Sequence, residues 1–240
     1  MAFLWDELRQ AIPLITSGNS YIMSVAWVTI RVAVLATAIA LVLGLPVGTA
    51  LGLGRFRGRR VLQALANAGL ALPPIIVGLA VLLLLLPQSL FGSLRIEFTL
   101  TGVYVAQTIL ALPYVIALTA AAIQGLPPGL LTQARALGAS RRQLGGLALR
   151  EARIGVLAAT IAALGASLSE VGAVVVVGGN IQNYDQTLAS AVLQQINGYA
   201  NYPYALAIGL VLLALVLVLI TVLTVIQQRS GAIQLRFRAP

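Results

Sequence analysis

YPYALAIGLVLLALVLVLITVLTVI, residues 202–226, runs for 25 positions without one charged side chain. As a helix it rises about 37 Å at 1.5 Å per residue, enough to cross the roughly 30 Å hydrocarbon core of a bilayer. Four other runs read the same way: Ile22–Leu53, Val61–Leu86, Thr99–Ile123 and Ile154–Val177. Backbone groups in lipid must bond within the chain, so each run is predicted to be a helix. The runs are too apolar for barrel strands, which alternate. The whole composition agrees, with 60% hydrophobic and 9% charged residues. Soluble domains carry about 25% charged residues, and so few charges cannot cover a globular surface in water.

The chain has no Cys and no His. That removes disulfides, thiolate metal sites and the commonest general base. All fifteen basic residues are Arg, and the net charge is +9. In a soluble protein this would suggest nucleic acid. Here the arginines stand in breaks between apolar runs, so no nucleic-acid partner is expected. Arg55, Arg57, Arg59 and Arg60 follow the first run. Arg135, Arg141, Arg142, Arg150 and Arg153 follow the third, and Arg229, Arg236 and Arg238 follow the fifth. With five spans these segments share one side, and the positive-inside rule makes it the cytoplasm. The N-terminus and the acids Asp6, Glu7, Glu97 and Asp185 are then expected outside. Asp6 and Glu7 also stand where a signal peptide would be basic, so no cleaved signal is expected.

One membrane domain over residues 1–240 is expected. Residues 1–20 form an interfacial helix, because Phe3, Leu4, Leu8, Ala11, Ile12 and Ile15 fall near helical spacing among polar neighbours; a packing helix would look the same. Residues 178–201 form an extracytoplasmic loop and 124–153 a cytoplasmic one. Gly44, Pro46, Gly48, Gly52 and Gly54 crowd the second half of the first run, and close helix packing through small residues is the preferred reading.

The 124–153 segment is built unlike a passive linker. Leu126-Pro127-Pro128-Gly129 stops the third helix. Leu130–Leu137 suits a short helix with Gly138 as its C-terminal cap. Ser140 suits the next N-cap, and Gln143 completes a capping box. The result is a basic helix–Gly–helix element, either an ordinary loop or a dock for another protein.

Thr132-Gln133-Ala134-Arg135-Ala136-Leu137-Gly138-Ala139-Ser140, followed by Leu147-Ala148-Leu149-Arg150, resembles the EAA loop of ABC-importer permeases. Ala134, Gly138 and the Leu147–Leu149 pair match at the family's spacing. Thr132, Gln133 and Arg150 depart from its Glu, Ala and Pro. The resemblance implies an all-α type I ABC-importer permease with five transmembrane helices. It implies that Ala134, Arg135, Leu137, Gly138, Ala139, Ser140, Arg141 and Arg142 couple to a separate ATPase. Two ATP-binding cassette subunits, holding the ATP and Mg, would serve a homodimer of this chain, with no cofactor or metal on the chain itself. The chain lacks a phosphate-binding loop and has no Lys.

Leu72-Pro73-Pro74-Ile75-Ile76-Val77-Gly78-Leu79 resembles the second-span motif of oxyanion permeases. Ser169-Glu170-Val171-Gly172-Ala173 and Val177-Gly178-Gly179-Asn180-Ile181 resemble the tungstate branch, and Thr187-Leu188 lies where such families often have Thr-Leu. A tetrahedral oxyanion delivered by an extracytoplasmic binding protein is the implied substrate. Permeases for molybdate, sulfate or another solute share the class.

Physical readings stand beside these. Glu170 is an acid inside the fourth run and needs a partner. An anion path gains nothing from a carboxylate, so it is expected either to pair with Arg31 or to bond backbone. Pro73 and Pro74 bend the second run and are candidates for the path. Gly178, Gly179 and Asn180 form either a helix C-cap or a turn facing the path or the substrate-binding protein, and Thr187 joins that group. An intramembrane enzyme built on Ser167, Ser169 and Glu170 lacks a His or Lys base. An ATP-independent carrier would need no dock and would show internal repeats, and none is apparent.

Overall fold

In hydrocarbon the chain forms helix wherever side chains permit, and it breaks where they do not. The computed structural model describes residues 2–236, with side chains over residues 5–229. Arg238, the Arg236 side chain and the side chains of Phe3 and Leu4, used above, lie outside the described residues. The helices are α1 (Ala2–Thr16), α2 (Ser20–Leu53), α3 (Arg59–Gly69), α4 (Pro74–Leu85), α5 (Leu100–Gln124), α6 (Pro128–Ala136), α7 (Arg141–Glu151), α8 (Arg153–Ser169), α9 (Gly172–Gly178), α10 (Leu188–Asn197) and α11 (Tyr202–Arg236). A 3-10 turn, Gly92–Leu94, stands between α4 and α5. Three helices are long and apolar enough to cross a membrane alone, and up to five spans arise when bent pairs count as one.

The first, third and fifth runs are continuous helices. Asn19 Oδ1 accepts from the Tyr21 and Ile22 N–H groups at the head of α2. Thr99 Oγ1 does the same for Gly102 at the head of α5. Pro46 and Pro113 sit inside α2 and α5 without ending them.

The second and fourth runs are broken. In the second, α3 stops at Gly69 and α4 starts with Pro74 at its first position. Leu72 and Pro73 each precede a proline, which disfavours helical backbone at both. In the fourth, the expected continuous span Ile154–Val177 is instead α8 and α9, interrupted at Glu170 and Val171. The expected 178–201 loop is also corrected, because most of its second half is the helix α10.

The chain divides into two compact units, to which α2, α5, α8 and α11 each supply residues. Unit 1 comprises Met1–Ala36, Leu72–Thr108 and Gly165–Leu219. In it Leu188 and Ala191 of α10 pack with Ala11 of α1, Ile22 and Val25 of α2, and Ala207 and Ile208 of α11. A second cluster joins Val32, Val103 and Val174.

Unit 2 comprises Thr37–Ala71, Ile109–Leu164 and Ile220–Pro240. Its α2 and α5 segments meet through the glycines singled out above. A Cβ at Gly44 would lie 2.8 Å from a Val115 methyl, at Gly48 2.9 Å from the Ile116 carbonyl oxygen, and at Gly52 2.8 Å from Ile123. The four-residue spacing places all three on one face, the small-xxx-small geometry of membrane helix pairs. The packing reading of this stretch holds.

Replacing Gly48 with Val forces α2 from α5 at a backbone oxygen. Overpacking of this kind costs about 1–3 kcal/mol, so thermal unfolding in detergent should begin at lower temperature. Gly58→Ala, where a Cβ meets nothing within 4 Å, tests the contrast: its residual cost comes from its positive φ of 87° alone.

Candidate functional site

Unit 2 carries the element between α5 and α8. Pro128 takes the first position of α6, where a missing N–H costs nothing. The helix ends in a Schellman arrangement: Ala139 N–H donates to Ala134 C=O at 3.0 Å and Gly138 N–H to Arg135 C=O at 2.9 Å. Gly138 has φ 85°, a left-handed conformation that side chains disfavour. Two residues later Ser140 Oγ accepts from Gln143 N–H at 3.4 Å, and Gln143 Oε1 accepts from Ser140 N–H at 2.8 Å. Both predicted caps are present, and together they fix the turn between α6 and α7.

One face of this element is anchored. Ala148 and Ala152 are buried with Ile123, and Leu126, Leu131 and Leu149 pack against them. At Ala152 the chain bends by 71° into α8. The opposite side is open: Leu137 is 89% exposed. Arg135, Gly138, Ser140, Arg141 and Arg142 are exposed around it, while Ala134 and Ala139 are half-buried. Leu137 is thus held bare on a capped turn among exposed arginines.

Unit 1 brings the breaks of the second and fourth runs together. A Cβ at Gly78 would lie 2.6 Å from Ala173 Cα, and one at Gly172 3.2 Å from the Ile75 backbone nitrogen. So α4 and α9 touch backbone to backbone beside Pro74 and Glu170. Pro73 is the extended residue that heads α4. Glu170 does not pair with Arg31, contrary to the first of the two expected readings. Its Oε1 accepts from Ala173 N–H at 3.0 Å. The break turns a mid-span acid into the acceptor for a new helix start. Arg31 is exposed on α2 and forms no ion pair with it.

At the end of α9, Gly179 is left-handed with φ 91° and its N–H donates to Val175 C=O at 3.1 Å. Asn180 follows at φ 57°. This is the helix C-cap of the simpler reading. Thr187 is a buried N-cap of α10, in a capping box with Ser190. Leu188 N–H donates to Thr29 Oγ1 at 2.7 Å, tying α10 to α2. Tyr21 O–H donates to Gln186 Oε1 at 2.7 Å, and Gln186 Nε2 donates to Gln194 Oε1.

Asp185 was not singled out by its sequence. It is fully buried, and its Oδ1 accepts from Ile181 N–H, closing the turn. Its Oδ2 has no hydrogen-bond partner. Gly178 makes the fit possible, since a Cβ there would lie 2.6 Å from Oδ2. Burial pushes the carboxyl up from 3.8 to about 6, against the Ile181 and Asp185 backbone N–H groups that pull it down.

Below pH 3.8 the carboxyl is protonated in folded and unfolded chains alike, and its contribution is fully present. As the pH rises from there through about 6, the unfolded chain gives up its proton first and stability falls. Thermal unfolding should therefore start earlier at about pH 7 than at about pH 4.5. Asp185→Asn should flatten that difference; an unchanged pH dependence in the variant contradicts the assignment.

Comparison with known proteins adds the context. Residues 44–231 match the family described as binding-protein-dependent transport system inner membrane component. A probable anion ABC transporter permease protein of Haloferax volcanii is 36% identical over 199 residues, covering 81% of this chain and 85% of its own. The tungstate uptake system permease protein TupB of Peptoclostridium acidaminophilum is 29% identical over 213 residues, covering 89% and 93%. In fold, the chain is similar to a bacterial ABC transporter involved in the import of the acidic polysaccharide alginate. The TM-score is 0.74 at 15% identity, over 92% of this chain and 83% of that one.

Proposed function

The chain belongs to the family of binding-protein-dependent transport system inner membrane components, and from that premise we propose that it is the membrane half of an ATP-driven importer for a tetrahedral oxyanion, tungstate first among them. The observation that carries the reading is the capped turn at Gly138 with Leu137 bare among arginines. An anion permease and a tungstate permease among its relatives support the solute class. Molybdate and sulfate are the alternatives within that class.

In this reading the α6–α7 element docks on a separate ATPase subunit, which holds ATP and Mg. Two copies of the chain pair in a cytoplasmic or inner membrane, so that two ATPases engage together. Closure of the pair pushes on α7, and the bend at Ala152 passes the displacement into α8. The chain thereby shifts between two global states, biased by ATP. A binding protein delivers the solute from outside. No covalent chemistry occurs on this chain.

Charge supports the orientation. The sequence of unit 2 holds twelve arginines and one acid, Glu151, while that of unit 1 holds three arginines and five acids. Unit 2 is then the cytoplasmic part, with the C-terminus inside and the N-terminus outside.

The test is reconstitution of the chain with its ATPase and binding protein in liposomes. Tungstate with its binding protein should stimulate ATP hydrolysis. Leu137→Asp, or reversal of Arg141 and Arg142 to Glu, should cut uptake more than about tenfold, because wrong charges at an interface cost several kcal/mol. Those variants should still fold, as the positions are exposed. Uptake that persists without the ATPase would overturn the reading.

A further inference from the structure

The end of α2 and the start of α7 enclose a cavity of about 550 Å³ within unit 2. Arg55, Arg135 and Arg141 line it together with Leu53, Phe56 and Leu144. None of the three guanidiniums has a hydrogen bond or ion pair among the described residues. Their neighbour Arg59 shows the contrast, since its Nε donates to Leu51 C=O at 2.7 Å. Among the described residues no acid pairs with the three. Glu151 is the one acid in the sequence of unit 2. It stands at the far end of α7, about 15 Å along the helix from Arg141.

Three like charges around one cavity repel each other, and each brings up to five N–H donors. A ligand with several anionic oxygens relieves both conditions at once, and arginine forks match phosphate oxygens in pairs. The rest of the lining is mostly apolar: Leu53, Phe56 and Leu144 suit glycerol and acyl carbons, and Thr49 adds one hydroxyl. The site also lies just past the end of a helix long and apolar enough to span. Arg55 is two residues beyond the end of α2, and Arg57, Arg59 and Arg60 follow at once. Such basic clusters at the end of a span attract anionic lipid.

We propose that this cavity takes the phosphate headgroup of an anionic membrane phospholipid, held by Arg55, Arg135 and Arg141. Because Arg55 follows α2 while Arg135 and Arg141 belong to α6 and α7, the bound phosphate is a strut between the first span and the coupling element. The proposal rests on the membrane reading and is independent of the solute carried.

The full chain in non-ionic detergent is titrated with short-chain phosphatidylglycerol, with phosphatidylcholine of the same chain length, and with inorganic phosphate. Wild type should bind phosphatidylglycerol in preference to both others. Arg55→Gln, Arg135→Gln and Arg141→Gln should each weaken it about fivefold, and the triple variant should lose the preference. Arg57→Gln with Arg60→Gln removes two charges outside this cavity; it lowers the general attraction to anionic lipid and should weaken binding less than Arg55→Gln with Arg141→Gln, which also removes phosphate contacts. Should the triple Gln variant aggregate, the triple Lys variant keeps the charge and should bind with intermediate affinity, having lost only the paired geometry. Equal loss in the Arg57/Arg60 variant would reduce the effect to general basicity. Equal binding of phosphatidylcholine or of inorganic phosphate would remove the lipid phosphate as ligand. Any of these results overturns the proposal.

Discussion

A peptide group in hydrocarbon has no water to bond, so each N–H and C=O of a spanning chain must find its partner inside the protein. Unbroken helix meets that demand automatically. Each interruption must meet it by other means, and at four of the breaks in this chain side chains do so. Glu170 receives Ala173 N–H, Asp185 receives Ile181 N–H, and Thr187 with Ser190 closes the head of α10. Ser140 with Gln143 does the same for α7. Glu170, Asp185, Thr187 and Ser140 look out of place in an apolar sequence and stand where helices stop or start.

That constraint also shapes the coupling element. The turn is closed at both ends, by the Schellman bonds before Gly138 and the capping box after it, and on the proposed reading such a turn would pass a push on instead of absorbing it. Its buried face, around Ala148 and Ala152, fixes it to the end of α5. Its other face is exposed, with Leu137 at the tip and Arg135, Arg141 and Arg142 around it. Rigidity and exposure are divided between two faces of about twenty residues.

Much of this was legible in the sequence, and the exceptions share a cause. The caps at Gly138, Ser140 and Gln143 are local, so a few adjacent residues determine them. The glycine stripe on α2 was legible because its spacing repeats every turn. The break at Glu170 was not, because its cause lies in another helix: Gly172 admits the Ile75 backbone of α4. The helix α10 was missed for a similar reason. Ten residues ending in Gln194, Gln195 and Asn197 carry a weak signal, and the packing of Leu188 and Ala191 supplies the stability that propensity does not. Asp185 gained its role from Gly178 and Ile181, which only the folded turn brings around it. In place of the expected Arg31–Glu170 pair, Glu170 accepts from the Ala173 N–H three residues along its own segment.

The central claim is that Leu137 touches a motor. The chain has no native cysteine, so Leu137→Cys gives a single thiol on the tip of the coupling turn. It is assembled with an ATPase subunit carrying single cysteines along the groove that faces the membrane. The account predicts an oxidative cross-link to at least one groove position, with a yield that changes when ATP is added. No cross-link at any groove position, in an assembly that still takes up solute, would contradict it.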